Sequence, residues 1–287
     1  MSTPAMSGPA ISSDDHLLAD AEPLSIPLGN GADCAALLYR ADKADAPLVL
    51  HLHAGAFVSA PSEGVPCVVR LLHSAGAAVV SLQYPLAPEH PFPQAAEAAH
   101  AALAHLHKRR RAWAGAASRI FVAGEEAGGN LAAAASLMAR DRAGPPLAGQ
   151  ILFSPMLDVC VATASLRRAQ AGPVGCRWAD GWHDYLPHAN DALHPYATPG
   201  AAARLAGLPP TLLFSAADDP FRDEATAFAS RLRGEGVPVV RLMLPPPTHF
   251  PAPYMEAPPA CDPAWVAVAR ERLRLFMQGL PTEHPKN

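Results

Sequence analysis

Short apolar runs alternate along this chain with stretches in which apolar residues recur at helical spacing. The runs Ala46–His53 (APLVLHLH), Ala77–Gln83 (AAVVSLQ), Arg119–Ala123 (RIFVA), Gln150–Phe153 (QILF), Pro210–Ser215 (PTLLFS) and Pro238–Leu244 (PVVRLML) predict strands. Several are apolar at consecutive positions, the pattern of strands covered by helices on both faces. Between them the spacing predicts helices over about 62–76, 93–113, 128–142, 222–235 and 263–279. Cys34–Tyr39 (CAALLY) predicts an antiparallel edge strand ahead of the series. This alternation implies βαβ units and a mainly parallel, doubly wound α/β sheet flanked by helices.

Two segments fall outside the alternation: the N-terminal arm to about residue 25, and Val159–Arg204, rich in Gly, Pro, Trp and His. An insertion of that length in a compact α/β domain points to a lid or functional loop. Prolines cluster at turns, as in LPPPTHFPAP, where they stiffen loops.

Composition narrows the class. The 287 residues suffice for one large α/β domain or two small ones, and half of them are apolar, enough for a substantial core. A net charge of −4 without a long run of one sign argues against nucleic acid or an anionic membrane as the main partner. The cysteines, Cys34, Cys67, Cys160, Cys176 and Cys261, are scattered and odd in number with no C-x-x-C pair, which argues against a disulfide framework or zinc knuckle. The first residues lack a basic segment followed by an apolar one, and no apolar run approaches the ~20 residues needed to span a bilayer. The expectation is a soluble cytoplasmic protein, monomer or homodimer.

The chemistry concentrates in four places. In Phe121–Leu131 (FVAGEEAGGNL) a strand runs into a glycine turn and then an alanine-rich helix. That is the context of the G-x-S-x-G nucleophile elbow, with Glu126 at the position of the serine. His53-Ala54-Gly55-Ala56-Phe57 follows a buried strand, where small residues let backbone N–H groups turn toward a developing oxyanion. Asp219 lies just after the strand at 210–215, and His249 just after the strand at 238–244. Both belong to the carboxyl edge of a parallel sheet, where ligands of such sheets bind. Singly, Asp219 reads equally as a turn or cap residue, and His249 as a solvated loop histidine. Their order along the chain, 126…219…249, is that of nucleophile, acid and histidine in α/β-hydrolases.

With these segments in view, the chain resembles the hormone-sensitive-lipase-like branch of the α/β-hydrolase fold, the bacterial esterases with an H-G-G-G loop. The similarity covers about Pro47 to Phe276. Its most specific stretch is YPLAPEHPFPQAA (Tyr84–Ala96), close to the family's Y-R-L-A-P-E-H-P-F-P-A-A; GEEAGGNLAAA, FSPMLD, GLPPTLL and DPFRDEA add to it. The resemblance implies a single α/β-hydrolase domain with a helical cap from about 1–25 and 159–204. It also implies oxyanion donors at the N–H groups of Gly55, Ala56 and Ala127. Departures fall at the chemical centre: Glu126 for the serine, Glu125 for the preceding aspartate, Ala54 and Ala56 for two glycines, and Pro85 for the arginine.

Loss of the serine nearly excludes an efficient serine esterase, since removing it costs on the order of 10⁶ in kcat. Three readings remain. In the first, Glu126 is nucleophile or general base with His249 and Asp219 in support, performing hydrolase, lyase or cyclase chemistry on a small apolar carbonyl compound without a cofactor. A carboxylate at a helix N-terminus would be stabilised there, and one oxygen would enter the oxyanion hole while the other faces the substrate. In the second, the chain is an inactive pseudo-esterase that binds a small apolar ligand under the cap. In the third, His51 and His53 hold a metal with Glu125 or Glu126, although two histidines without a third placed ligand are a weak signal and His51 reads better as a buried strand residue. The first is favoured because Asp219 and His249 stand where the chemistry needs them. Phe57, Trp178, Trp182 and Tyr185 are the candidate walls of an apolar pocket, or equally the packing of cap on core.

Overall fold

The computed structural model describes residues 17, 19–29, 31–61, 64–169, 174–255 and 263–279. Eight strands form one sheet: β1 (Glu22–Pro27), β2 (Asp33–Tyr39), β3 (Leu48–Leu52), β4 (Ala78–Leu82), β5 (Ile120–Glu125), β6 (Gly149–Phe153), β7 (Thr211–Ala216) and β8 (Val239–Leu244), in the order β1-β2-β4-β3-β5-β6-β7-β8. The pairs β1–β2 and β2–β4 are antiparallel and the rest are parallel. This is the expected doubly wound α/β-hydrolase sheet.

Alternate residues of the central strands serve opposite faces. Leu48, Leu50 and Leu52 join Val122 in the core beneath α2 (Gln94–Trp113) and α3 (Ala127–Asp141). Val49, Phe121 and Ala123 enter the core beneath α1 (Cys67–Ser74) and the C-terminal helix at Ala264–Gln278, together with Leu72 and Trp265. Both faces are thus dry, which explains the unbroken apolar runs in the sequence.

Boundaries differ from expectation in two places. The helix expected from 62 begins at Cys67, after Pro66, whose backbone is extended. Residues 22–25, placed by the resemblance in a cap arm, instead belong to β1, which pairs with β2 from Glu22↔Leu38 to Pro27↔Asp33. The earlier arm, 1–16, lies outside the described residues. The insertion after β6 folds as α4 (Ala164–Ala169), α5 (Val174–Tyr185) and two 3₁₀ turns, Ala189–Leu193 and Pro199–Ala201. After β7 come α6 (Arg222–Gly234), the short α7 (Ala252–Met255) and the C-terminal helix, α8.

Register brings the candidate residues to one edge. Leu52 pairs with Gly124, Gly124 with Leu152, and Phe153 with Phe214, so the ends of β3, β5, β6 and β7 are level. The segments that follow, at 53–57, 126, 154 and 217–221, therefore leave the sheet side by side. Among the described residues, no helix is long and apolar enough to cross a membrane.

Candidate active site

A single residue, Glu126, joins β5 to α3. Its φ is 53°, a left-handed conformation that costs a non-glycine residue about 1–3 kcal/mol. The turn persists because α3 passes so close to the sheet that side chains are excluded. A Cβ on Gly124 would lie 2.2 Å from the Gly128 carbonyl oxygen, and one on Gly128 would lie 2.0 Å from that of Leu52. Backbone bonds to β6 and the loop after it pin the turn, Glu126 N–H to Phe153 O (3.1 Å) and Met156 N–H to Glu126 O (3.0 Å). The elbow inferred from the sequence is present, with the glutamate at its apex.

The Glu126 carboxylate is fully buried and turns away from its own helix, making no cap hydrogen bond with α3. Oε2 accepts N–H bonds from Gly55 at 2.6 Å and Ala56 at 2.9 Å, while Oε1 accepts one from Trp178 Nε1 at 2.6 Å. One carboxylate oxygen thus lies on the 55–56 loop, and the Ala127 N–H makes no hydrogen bond to it.

That loop requires glycine at one position only. Gly55 has φ 131°, and a Cβ there would lie 1.8 Å from the Ser59 carbonyl oxygen. Ala56 and Phe57 adopt left-handed φ values of 50° and 69°, held by Val58 and Ser59 N–H bonds to the Gly55 carbonyl, each 3.0 Å. Alanine at 54 and 56 is therefore compatible with the donor geometry.

Beneath the elbow lies a buried polar relay. His51 Nδ1 meets Ser81 Oγ at 2.9 Å and Nε2 meets Glu125 Oε2 at 2.9 Å, while Glu125 Oε1 accepts the Ala54 N–H at 3.3 Å. Glu125 thus braces the first residue of the donor loop. His53 stacks on Tyr84 at 4.2 Å, and its Nδ1 lies 2.6 Å from the Ala54 carbonyl. Burial lowers the His53 imidazole to about 4, so it is neutral at pH 7 and Nδ1–H donates to that carbonyl. Tyr84 Oη donates to His53 O at 2.8 Å, which explains the tyrosine opening the YPLAPEHPFP stretch. His51 and His53 are committed to these contacts, and among the described residues no group of three His, Cys, Asp or Glu side chains is placed to hold a metal.

The acid and the histidine are not joined. Asp219 is buried at the end of β7, with Oδ1 accepting the Phe221 N–H at 2.9 Å. Its Oδ2 is buried without a hydrogen-bond partner among the described residues. Burial raises its pKa to about 7, opposed by the Phe221 N–H and by nearby Ser154, whose Oγ is bonded to Tyr254 Oη at 3.0 Å. His249 is exposed, and its ring makes no hydrogen bond to Asp219 or Glu126. The loop carrying it is held by the neighbouring aspartate: Asp218 Oδ2 accepts the N–H groups of Thr248 (2.7 Å) and His249 (3.2 Å). The backbone at His249 has a left-handed φ of 56°. The expected Glu126–His249–Asp219 connection is thus absent from this arrangement.

Three of the four candidate wall residues, Phe57, Trp182 and Tyr185, come together, while Trp178 packs on Phe221. Phe57 stacks on Tyr185 with centroids 4.0 Å apart and planes 5° apart, and it meets Trp182 at 5.0 Å; Trp178 meets Phe221 edge-on at 4.7 Å. Helix α5 touches the donor loop so closely that a Cβ on Gly181 would lie 2.2 Å from the Ala56 carbonyl oxygen. On an adjacent face of α5, Ala179, Trp182, His183 and Leu186 line a cavity of about 380 Å³ with Val159 and Val161. The role of Trp178 as a donor to Glu126 carries no sequence signal, because it depends on how α5 is laid over the sheet. Glu224, in the DPFRDEA stretch, is another buried acid: Oε2 accepts the N–H groups of Leu157 (2.7 Å) and Asp158 (2.9 Å), and burial raises it to about 8.

Comparison with known proteins agrees with this architecture. Residues 49–250 match an alpha/beta hydrolase fold family. The chain is 38% identical over 209 residues to Esterase LipI of Mycobacterium tuberculosis, covering 69% of this chain and 63% of that protein. It is 34% identical over 202 residues to Carboxylesterase NlhH of the same species, covering 67% and 62%. The chain thus spans less than two thirds of the length of these relatives. The solved structure of EstE1, a thermostable carboxylesterase cloned from a metagenomic library, superposes with a TM-score of 0.76 at 31% identity, covering 91% of this chain and 88% of that one.

Proposed function

The chain belongs to the α/β hydrolase fold family, as an esterase-like member, and from that premise we propose that it is a pseudo-esterase. In this reading its ester-hydrolysing centre is closed by its own Glu126, and it binds a small apolar carbonyl compound under the cap. One observation carries the reading: Glu126 Oε2 takes the Gly55 and Ala56 N–H groups at 2.6 and 2.9 Å. Ester hydrolysis needs such donors free for the oxygen that becomes negative in the transition state. With a carboxylate in that place, a substrate carbonyl finds no donor and meets like charge instead. A general base must also stand within about 2.6–3.2 Å of the proton it removes. The exposed ring of His249 makes no bond into the site. The cavity beside α5, about 380 Å³ and formed within the insertion after β6, falls in the range of about 300–1,000 Å³ usual for small-molecule sites, and its largely apolar lining with His183 and His188 suits a small ligand that carries a polar group.

A second reading has its own support. Asp219 Oδ2, buried and unpartnered, is an acceptor suited to an imidazole N–H turned inward. In that state Glu126 Oε1 would attack an electrophilic carbon and expel its leaving group. Water deprotonated by His249 would then add to the Glu126 ester carbonyl, releasing the alcohol and restoring the carboxylate.

The experiment that separates the two compares wild type with Glu126→Gln on esters, lactones, epoxides and alkyl halides. Equal background rates throughout, with no adduct on Glu126 by mass spectrometry, are expected. Turnover lost in Glu126→Gln, or a trapped Glu126 ester, overturns the pseudo-esterase reading.

A further inference from the structure

Glu126 does more than fill the donor pair: its second oxygen is held from the other side of the seam between core and cap. Oε2 is bound by the core loop through Gly55 and Ala56, and Oε1 by Trp178 of α5 at 2.6 Å. We infer that Glu126 and Trp178 form a latch that holds α5 closed over the donor loop.

The surroundings favour a latch over incidental contact. Glu126 is fully buried and Trp178 is 1% exposed, so the bond is made without competing water. A buried hydrogen bond to a carboxylate is among the stronger kinds, and leaving one of its partners unpaired costs more than the bond itself contributes. Among the described residues, the other contacts of α5 with the loop are apolar or of close approach: Phe57 on Tyr185 and Trp182, and Gly181 against the Ala56 carbonyl. Closure also leaves Trp182 Nε1 and Tyr185 Oη buried without hydrogen-bond partners among the described residues. Those two groups would regain water when α5 lifts, so the closed state carries a penalty that the latch offsets. Trp178 is accordingly a positioning residue for the cap, joined to the one residue that departs most from the family pattern.

The inference stands on the same carboxylate as the pseudo-esterase reading but is tested apart from it. Amide hydrogen exchange is followed by mass spectrometry for residues 177–185 in wild type, Trp178→Phe, Glu126→Gln and Trp182→Phe. Phenylalanine at 178 keeps an aromatic ring for Phe221 but loses the N–H donor and part of the indole volume, a volume loss that Trp182→Phe reproduces on the same helix. Glutamine at 126 has one acceptor oxygen; the paired donors of Gly55 and Ala56 claim it, turning the NH₂ toward Trp178. Both variants are expected to speed exchange across 177–185 by about tenfold or more while β5 and α3 are unchanged. Trp182→Phe, which removes an unpartnered N–H from the same helix and with it part of the closed-state penalty, is expected to leave exchange at the wild-type rate or to slow it. Wild-type exchange in both latch variants, or equal loosening by Trp182→Phe, overturns the inference. Trp178→Phe leaves Glu126 on the donor loop, so its exchange result is independent of whether wild type turns over any substrate.

Discussion

His51 and Glu125 form an acid–imidazole pair with no solvent exposure, Nε2 to Oε2 at 2.9 Å, and through Ala54 the pair supports the loop that holds Glu126. Removing one member of such a pair leaves the other buried and unsatisfied. His51→Ala or Glu125→Ala is expected to destabilise the fold by about 3–5 kcal/mol, and the double variant by less than the two singles added. Urea unfolding of the four proteins of the cycle measures this directly.

Restoring the family nucleophile tests how much of the catalytic apparatus survives. Glu126→Ser frees the Gly55 and Ala56 donors and supplies a hydroxyl at the elbow. Hydrolysis of p-nitrophenyl acetate is expected to rise by about 100-fold or more over wild type, and Glu126→Ser/His249→Ala to abolish the gain. A gain that survives His249→Ala would mean that the donors act without the histidine.

Stability should fall as pH rises across the neutral range. Burial raises Asp219 to about 7 and Glu224 to about 8, above their ordinary carboxylate values. Between roughly pH 4 and 8 the folded chain therefore holds protons that the unfolded chain has released. The stabilisation is complete below about pH 4 and is lost as pH climbs through the raised values. Asp219→Asn and Glu224→Gln should each flatten this slope, gaining on the order of 1–3 kcal/mol relative to wild type at pH 8. Urea midpoints at pH 5 and pH 8 are the readout.

The elbow tolerates no side chain on its inner glycine. Gly128→Ala would place a Cβ 2.0 Å from the Leu52 carbonyl oxygen, a backbone atom of β3 that has no rotamer with which to yield. A loss of about 2–4 kcal/mol is expected, with α3 displaced from the sheet. Thermal unfolding of this variant beside Ala132→Gly, which opens no such contact, separates crowding from helix propensity.

The alternation of apolar runs with helical spacing determined the sheet, its flanking helices and the elbow, because burial periodicity and glycine crowding act over a few residues and are written locally. The YPLAPEHPFPQAA stretch carried the family resemblance, and its Tyr84 bonds the His53 carbonyl at the start of the 53–57 loop. Positions 126, 219 and 249 were legible as sheet-edge residues, but their connection was not. Whether the Glu126 carboxylate turned to its own helix or to the loop at 55–56 depended on competing donors brought by β3 and α5, elements distant in sequence. Likewise, Asp218 rather than Asp219 holds the backbone at His249, through bonds to Thr248 and His249 that only the packed loops define. Local pattern specifies which elements form and where they end. The direction of a buried carboxylate is settled by which donors the assembled fold places around it, since in a dry interior each unpaired polar group costs more than the side chain's own preference.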